Sequence, residues 1–134
     1  MKKSLRPFIL ARVATSSVLL SFEASSHHSF AAQYDIAQPV TLAGKVAKVD
    51  WTNPHARIYI DVADSNGTVT QWNVELGSPN FLKRAGWSRN DINIGDEVTI
   101  NGSKARSGAD MANAQSIILS SGRQVFGRNA ADLN

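Results

Sequence analysis

The sequence predicts an all-β protein with one short helix, organised as a five-stranded OB-like barrel with the element order β-β-β-α-β-β. From Pro39 onward, short runs of alternating apolar and polar residues end in turn residues, which is typical of half-buried strands. A single helical stretch between the third and fourth runs matches the connectivity of an OB barrel. The alternative is a β-sandwich, which normally has about seven strands, more than this sequence offers.

Three strands are predicted before the helix. The first covers residues 40–51, and its apolar positions change phase, which indicates a bulge or bend at residues 44–48. The second, residues 55–63, alternates cleanly and predicts one buried and one exposed face. An Asn66-Gly67 pair, typical of a tight hairpin, leads into the third strand at residues 68–76.

The predicted helix follows directly. Ser78 is expected to be its N-cap and Pro79 its first residue, because these positions favour a hydroxyl acceptor and a proline respectively. Gly86 is expected to end the helix. Two more strands, at residues 97–105 and 111–120, complete the predicted barrel.

The chain divides into four predicted segments: a cleaved export signal peptide at 1–26, an N-terminal segment at 27–38, the barrel domain at 39–126 and a polar tail at 127–134. Positive residues precede an apolar run from Phe8 to Phe22, and small residues follow up to Ser26, as signal peptidase requires. Cleavage there makes His27 the first residue of a periplasmic or secreted protein. The alternative is an uncleaved anchor, against which Arg12 within the apolar run argues.

Charge and cysteine content exclude several classes of function. The chain has 14 basic and 11 acidic residues, but four of the basic and one of the acidic lie within residues 1–26. The remaining charges cancel, so the mature chain lacks the basic surface that nucleic-acid binding requires. The absence of cysteine excludes disulfides, thiolate metal sites and cysteine nucleophiles.

Two motifs are distinctive together, HHSF at residues 27–30 and WTNPHA at residues 51–56. Further matching positions are Tyr34-Asp35, ELGSPN at residues 75–80, Leu82, Arg84, Gly86-Trp87 and Gly95-Asp96. These stretches resemble an uncharacterised family of small secreted bacterial proteins, the domain of unknown function 6152. The resemblance covers nearly the whole mature chain. It implies export and a common fold, and it transfers no activity.

All three histidines lie in these motifs: His27, His28 and His55. After cleavage, the α-amine and imidazole of His27 can chelate one metal ion, and His55 can add a third nitrogen in an arrangement that resembles the copper histidine brace. In a second arrangement His28 supplies the third nitrogen. Nitrogen ligands favour Cu(II), with Ni(II) a weaker candidate. The alternative is that the pair consists of polar residues after a processing site and that His55 only caps its turn.

A second candidate site is the loop between the first two strands together with the outward face of the second and third. OB folds often bind ligands at this loop. The residues expected to contact a ligand are Asn53, Arg57, Tyr59, Gln71 and Asn73. Such a surface suits a small polar ligand or an envelope partner protein, and the alternative is a plain solvated sheet face.

Enzyme motifs are scarce, since the sequence contains no nucleophile elbow, P-loop or zinc-protease motif. No catalytic residue is predicted. Three hypotheses follow: an exported module that binds Cu(II) or another divalent metal, a metal-free OB-like module, and a copper redox enzyme. The sequence favours a binding module over an enzyme and predicts no cofactor other than copper, no nucleic-acid partner and no permanent membrane anchor.

Overall fold

The computed structural model describes residues 30–127, which form a mainly β structure. Its strands are β1 (Tyr34–Asp50), β2 (Arg57–Ala63), β3 (Val69–Glu75), β4 (Glu97–Ala105), β5 (Met111–Ile118) and β6 (Gln124–Phe126). Two short α-helices, α1 (Phe30–Gln33) and α2 (Pro79–Arg84), and a 3-10 turn at Arg89–Asp91 complete the described elements.

Pairing between strands closes a ring. The first part of β1 pairs antiparallel with β4, and its last part pairs antiparallel with β2. The pairs β2–β3 and β4–β5 are also antiparallel. A parallel pairing of residues 73–75 of β3 with residues 111–113 of β5 joins the two ends. β6 extends the sheet beyond β5.

The apolar core lies inside this ring. The alternation predicted for β2 is confirmed, because Ile58 and Ile60 are fully buried while Arg57 and Tyr59 on the opposite face are partly exposed. The register places Ile58 beside Val74 of β3, so both strands turn their apolar faces to the same side. Each such fully buried aliphatic side chain contributes about 1.5–3 kcal/mol.

Several local predictions are also confirmed. The phase change in β1 is a bulge between Val46 and Lys48. The hydroxyl of Ser78 accepts a backbone hydrogen bond in the first turn of α2, which begins at Pro79. Gly86 follows the C-cap of α2 with φ of 91°, a conformation that favours glycine.

The element order differs from the predicted one by three additional elements: α1, the 3-10 turn and β6. In addition, β1 begins at Tyr34 instead of residue 40. Tyr34 and Asp35 pair with the end of β4, and the pairing then shifts register before it resumes at Pro39. The proline and this irregularity hide the early part of the strand from an alternation pattern. β6 has three residues, too few for a periodic signal.

The predicted signal peptide, residues 128–134 of the predicted tail, and His27 and His28 lie outside the described residues. Within residues 30–127, no helix is long and apolar enough to cross a membrane.

Candidate functional site

Glu75, the last residue of β3, is the one acidic residue among positions 30–127 that is buried, with its side chain 6% exposed. Three side chains converge on its carboxylate. The hydroxyl of Tyr34 donates to Oε2 at 3.0 Å, and Arg57 Nη2 donates to the same oxygen at 2.6 Å. His55 Nδ1 lies 3.2 Å from Oε1. These four residues, here called the Glu75 cluster, give a buried charge the partners that it requires.

The β2–β3 hairpin positions three members of the cluster. Arg57 and Glu75 are directly opposite each other in the antiparallel register, so their side chains share one face. His55 lies two residues before Arg57, ahead of the first residue of β2. Between them, Ala56 exchanges backbone hydrogen bonds of 2.9 and 3.1 Å with the chain that follows β3. This extension of the ladder fixes the backbone beside His55.

The N-terminal arm, residues 30–35, supplies Tyr34. Arg106, just after β4, holds the arm: its guanidinium donates to a backbone carbonyl there at 2.8 Å and to Asp35 Oδ2 at 3.1 Å. The ring of Phe30 stacks on the ring of Tyr34 with centroids 5.6 Å apart. The start of the described chain is therefore attached next to the Glu75 cluster.

Tyr34 is fully buried but does not belong to the contiguous apolar cluster inside the ring. Burial raises the pKa of its phenol far above the ordinary value, and the nearby Glu75 carboxylate raises it further. The phenol therefore remains a protonated donor to Glu75 throughout the ordinary pH range.

His55 is the accessible member of the Glu75 cluster, with its side chain 51% exposed. Imidazole is a common metal ligand in proteins and is also a proton acceptor near neutral pH. The cluster thus combines a buried, well-partnered carboxylate with an imidazole at the surface. Chemically, this arrangement suits metal coordination or hydrogen bonding by the exposed side of the His55 imidazole.

Two of the residues predicted to bind a ligand lie together at this place. Arg57 Nη1 donates to Asn73 Oδ1 at 3.1 Å, while the other terminal nitrogen of Arg57 contacts Glu75. The guanidinium thus connects Asn73 to the cluster, and its side chain remains 29% exposed.

The other predicted ligand-binding residues have separate surroundings. Gln71 donates to Asp61 at 3.1 Å on the neighbouring strand. The Nζ atom of Lys48 lies 4.9 Å from the ring centroid of Tyr59, a cation–π contact. Asn53 is exposed in the loop between β1 and β2.

Tyr34 and Glu75 are the members of the site that the sequence does not reveal. Alternation along residues 68–76 indicates the face on which Glu75 lies, and a hairpin register would have paired it with Arg57. No local signal connects Tyr34 to a residue 41 positions later in the chain.

The predicted metal set is described only in part. His55 is the one histidine within residues 30–127, and this portion of the chain contains no group of three His, Cys, Asp or Glu residues that could hold a metal ion. A contribution from His27 and His28 concerns positions outside the described residues.

The fold and site define a small, mainly β protein in which a buried carboxylate cluster supports one exposed histidine. The chain belongs to the Family of unknown function (DUF6152), whose model matches residues 16–114, and this confirms the resemblance inferred from the sequence. No curated protein matches the chain. Among solved structures, it is similar to the mitochondrial single-stranded DNA binding protein Rim1 of S. cerevisiae, with 11% identity and a TM-score of 0.48, over 61% of this chain and 92% of that chain.

Proposed function

We propose that this protein is an exported binding module that holds Cu(II), or another divalent ion that prefers imidazole, through His27, His28 and His55. The observation that carries the proposal is the Glu75 cluster, which presents an exposed imidazole beside the place where the described chain begins. The role suited to such a module is metal carriage, buffering or delivery.

Chain length supports the participation of the histidine pair. Phe30 packs on Tyr34, and the hydroxyl of Tyr34 donates to the same carboxylate that His55 contacts. His28 is two residues before Phe30, and an extended chain spans about 3.3–3.6 Å per residue. A short stretch of chain therefore connects His27 and His28 to the Glu75 cluster, which includes His55.

The donor set supports Cu(II) over harder cations. Imidazole and amine nitrogens suit Cu(II), whereas Mg²⁺ and Ca²⁺ prefer oxygen ligands. The chain contains no cysteine that would provide thiolates instead. Processing after Ser26 would add the α-amine of His27 to the available nitrogens.

We assign the ring of β1 to β5 as an OB-like barrel that serves as the scaffold. Five strands whose pairings close on themselves, with α2 between β3 and β4, match that architecture. The β1–β2 loop, which contains His55, is among the loops that OB folds use for ligands.

The second candidate is a metal-free module that binds a small polar ligand or an envelope partner protein. The observation in its favour is that Arg57 and Tyr59 lie on one face of β2 and both remain partly exposed. A copper redox enzyme would require an open coordination position and a substrate surface in addition to the metal.

The test uses full mature protein exported with its native N-terminus, verified by intact mass, and titrated with Cu(II) and Zn(II). Two variants probe the site: His55→Ala, and an extension of one residue before His27 that removes the free amine from the histidine. Thr52→Ala, an exposed position in the same loop, is the matched control.

We expect stoichiometric Cu(II) binding that is weakened by both changes and unaffected in the control. Weakening by the extension alone would reduce the site to a peptide-end chelate without His55. Affinity no higher than that of a generic histidine-containing peptide would contradict the metal proposal and favour the second candidate.

A further inference from the structure

We infer that Glu75 is a positioning residue for His55: its carboxylate keeps a hydrogen on Nδ1 and leaves Nε2 as the nitrogen available to a metal ion. The metal in this inference rests on the proposed function. The tautomer of His55, however, is a property of the metal-free protein and can be measured independently.

The first step concerns the two oxygens of Glu75, which have different partners. Oε2 accepts from Tyr34 at 3.0 Å and from Arg57 at 2.6 Å. Charge-assisted contacts of this kind stabilise an ionised carboxylate in a buried position. Oε1 faces His55, so an anionic acceptor is directed at one particular nitrogen of the imidazole.

The second step follows from the chemistry of that contact. An ionised carboxylate offers only acceptor atoms, and a nitrogen lone pair 3.2 Å from Oε1 would be repelled. Nδ1 therefore carries the hydrogen. In a neutral imidazole with one N–H, the lone pair then belongs to Nε2. Histidines that bind metals commonly donate their other ring N–H to a carboxylate.

The third step explains why Glu75 acts through His55 and is not itself a ligand. Both of its oxygens are engaged within the cluster, and its side chain is 6% exposed. Arg57 is held in addition by Asn73 at 3.1 Å, so the guanidinium is fixed on Oε2. Among residues 30–127, the ligand offered to the metal ion would then be the Nε2 nitrogen of His55.

Replacement of the carboxylate by an amide should reverse the tautomer. In Glu75→Gln the side chain has one acceptor oxygen and one NH2 group. Arg57 can only donate, so the amide oxygen would accept from Arg57. The NH2 group would then face His55 and donate to Nδ1, which must be the acceptor. The hydrogen then moves to Nε2, and this nitrogen is lost as a ligand.

The experiment records long-range ¹⁵N–¹H correlation spectra of metal-free protein labelled at histidine, with His55 assigned by comparison with His55→Ala. Cu(II) affinity is measured on the same samples. The variants are Glu75→Gln, Tyr34→Phe, which retains the carboxylate, and Asp61→Asn. Asp61 accepts from Gln71 on the same strand pair and serves as the matched acid-to-amide control.

We expect the Nδ1–H tautomer in the wild type, in Tyr34→Phe and in Asp61→Asn, and the Nε2–H tautomer in Glu75→Gln. Cu(II) affinity should fall about 10–100-fold in Glu75→Gln, the usual effect of removing the partner of a ligating histidine. An Nε2–H tautomer in the wild type would overturn the inference even if Glu75→Gln failed to fold. An unchanged tautomer and affinity in a folded Glu75→Gln would also overturn it. If the wild type shows the expected tautomer but binds no metal, the proposed function fails while the positioning role of Glu75 stands.

Discussion

The apolar core inside the strand ring and the contacts of the buried Glu75 carboxylate are held together differently. In the core, Ile58 and Val74 meet because each alternates correctly on its own strand, and their attraction has no preferred direction. In the cluster, Tyr34 and Arg57 must each place one donor on one oxygen of Glu75. The core therefore responds to lost volume, whereas the cluster responds to a lost partner even when volume is preserved.

The largest expected effect comes from removing volume in the core. Ile100 is fully buried in β4, and Ile100→Ala should lower the free energy of unfolding by about 2–5 kcal/mol because it removes apolar contacts and leaves a cavity. Guanidinium denaturation followed by circular dichroism measures this loss. Ile94→Ala, at a position that is 73% exposed, is the matched control. We expect it to change the free energy of unfolding by no more than about 0.5 kcal/mol. Equal losses in the two variants would contradict the assignment of the core.

A smaller loss is expected when a partner is removed from the cluster at nearly constant volume. Tyr34→Phe deletes the hydroxyl that donates to Glu75 and should cost about 1–3 kcal/mol, the typical effect of depriving a buried charged group of one hydrogen bond. Tyr59→Phe is the control, because Tyr59 is only half-buried. The comparison fails if the two tyrosine variants unfold at the same denaturant concentration.

The pH dependence of this variant has a definite sign. The pKa of Tyr34 is raised in the folded protein, chiefly by burial. A raised pKa means that the stabilisation is complete below the unfolded value of about 10 and declines as pH rises above it. The stability difference between wild type and Tyr34→Phe should therefore be constant from neutral pH to about pH 9 and shrink at higher pH. A difference that grows above pH 10 would contradict the burial of a protonated phenol.

The fold could be predicted where its signals are local. Alternation identified the buried face of β2, and Ser78-Pro79 marked the start of α2. The closure of the ring could not be predicted in its details, because it depends on a parallel contact of three residues between β3 and β5. That contact joins segments far apart in sequence and produces no periodic pattern of its own.

The candidate site divides in the same way. Its histidine was recognisable from residue type and loop position, and Arg57 and Asn73 from their face of the hairpin. Glu75 acquires its significance only when Tyr34 reaches it across 41 residues and β1 is seen to begin early. Sequence reasoning therefore finds the exposed member of the Glu75 cluster and misses the buried residues that support it.

At the 3-10 turn, Asp91 has one partner that is near in sequence, Ser88, and one that is distant, Arg123. Ser88 and Asp91 form a capping box in which the backbone N–H of Ser88 donates to Asp91 at 2.7 Å, a pattern legible as Ser-x-x-Asp. Arg123 also contacts Asp91 at 2.6 Å. These contacts lower the pKa of Asp91, the hydrogen bond from Ser88 first and Arg123 next.

The smallest effect is expected here. Asp91→Asn should cost about 0.5–1.5 kcal/mol at pH 7, the net contribution of an ordinary hydrogen bond, measured by denaturant unfolding. Because the pKa is lowered on folding, the carboxylate contributes its full stabilisation above the unfolded value of about 4, and this is lost as pH falls through the folded value. The gap between wild type and Asp91→Asn should thus close in acid. Asp50→Asn, which breaks an exposed pair with Lys48, should change stability little at any pH, and an equal or larger loss there would show that a partly buried local cap confers no advantage over a surface ion pair.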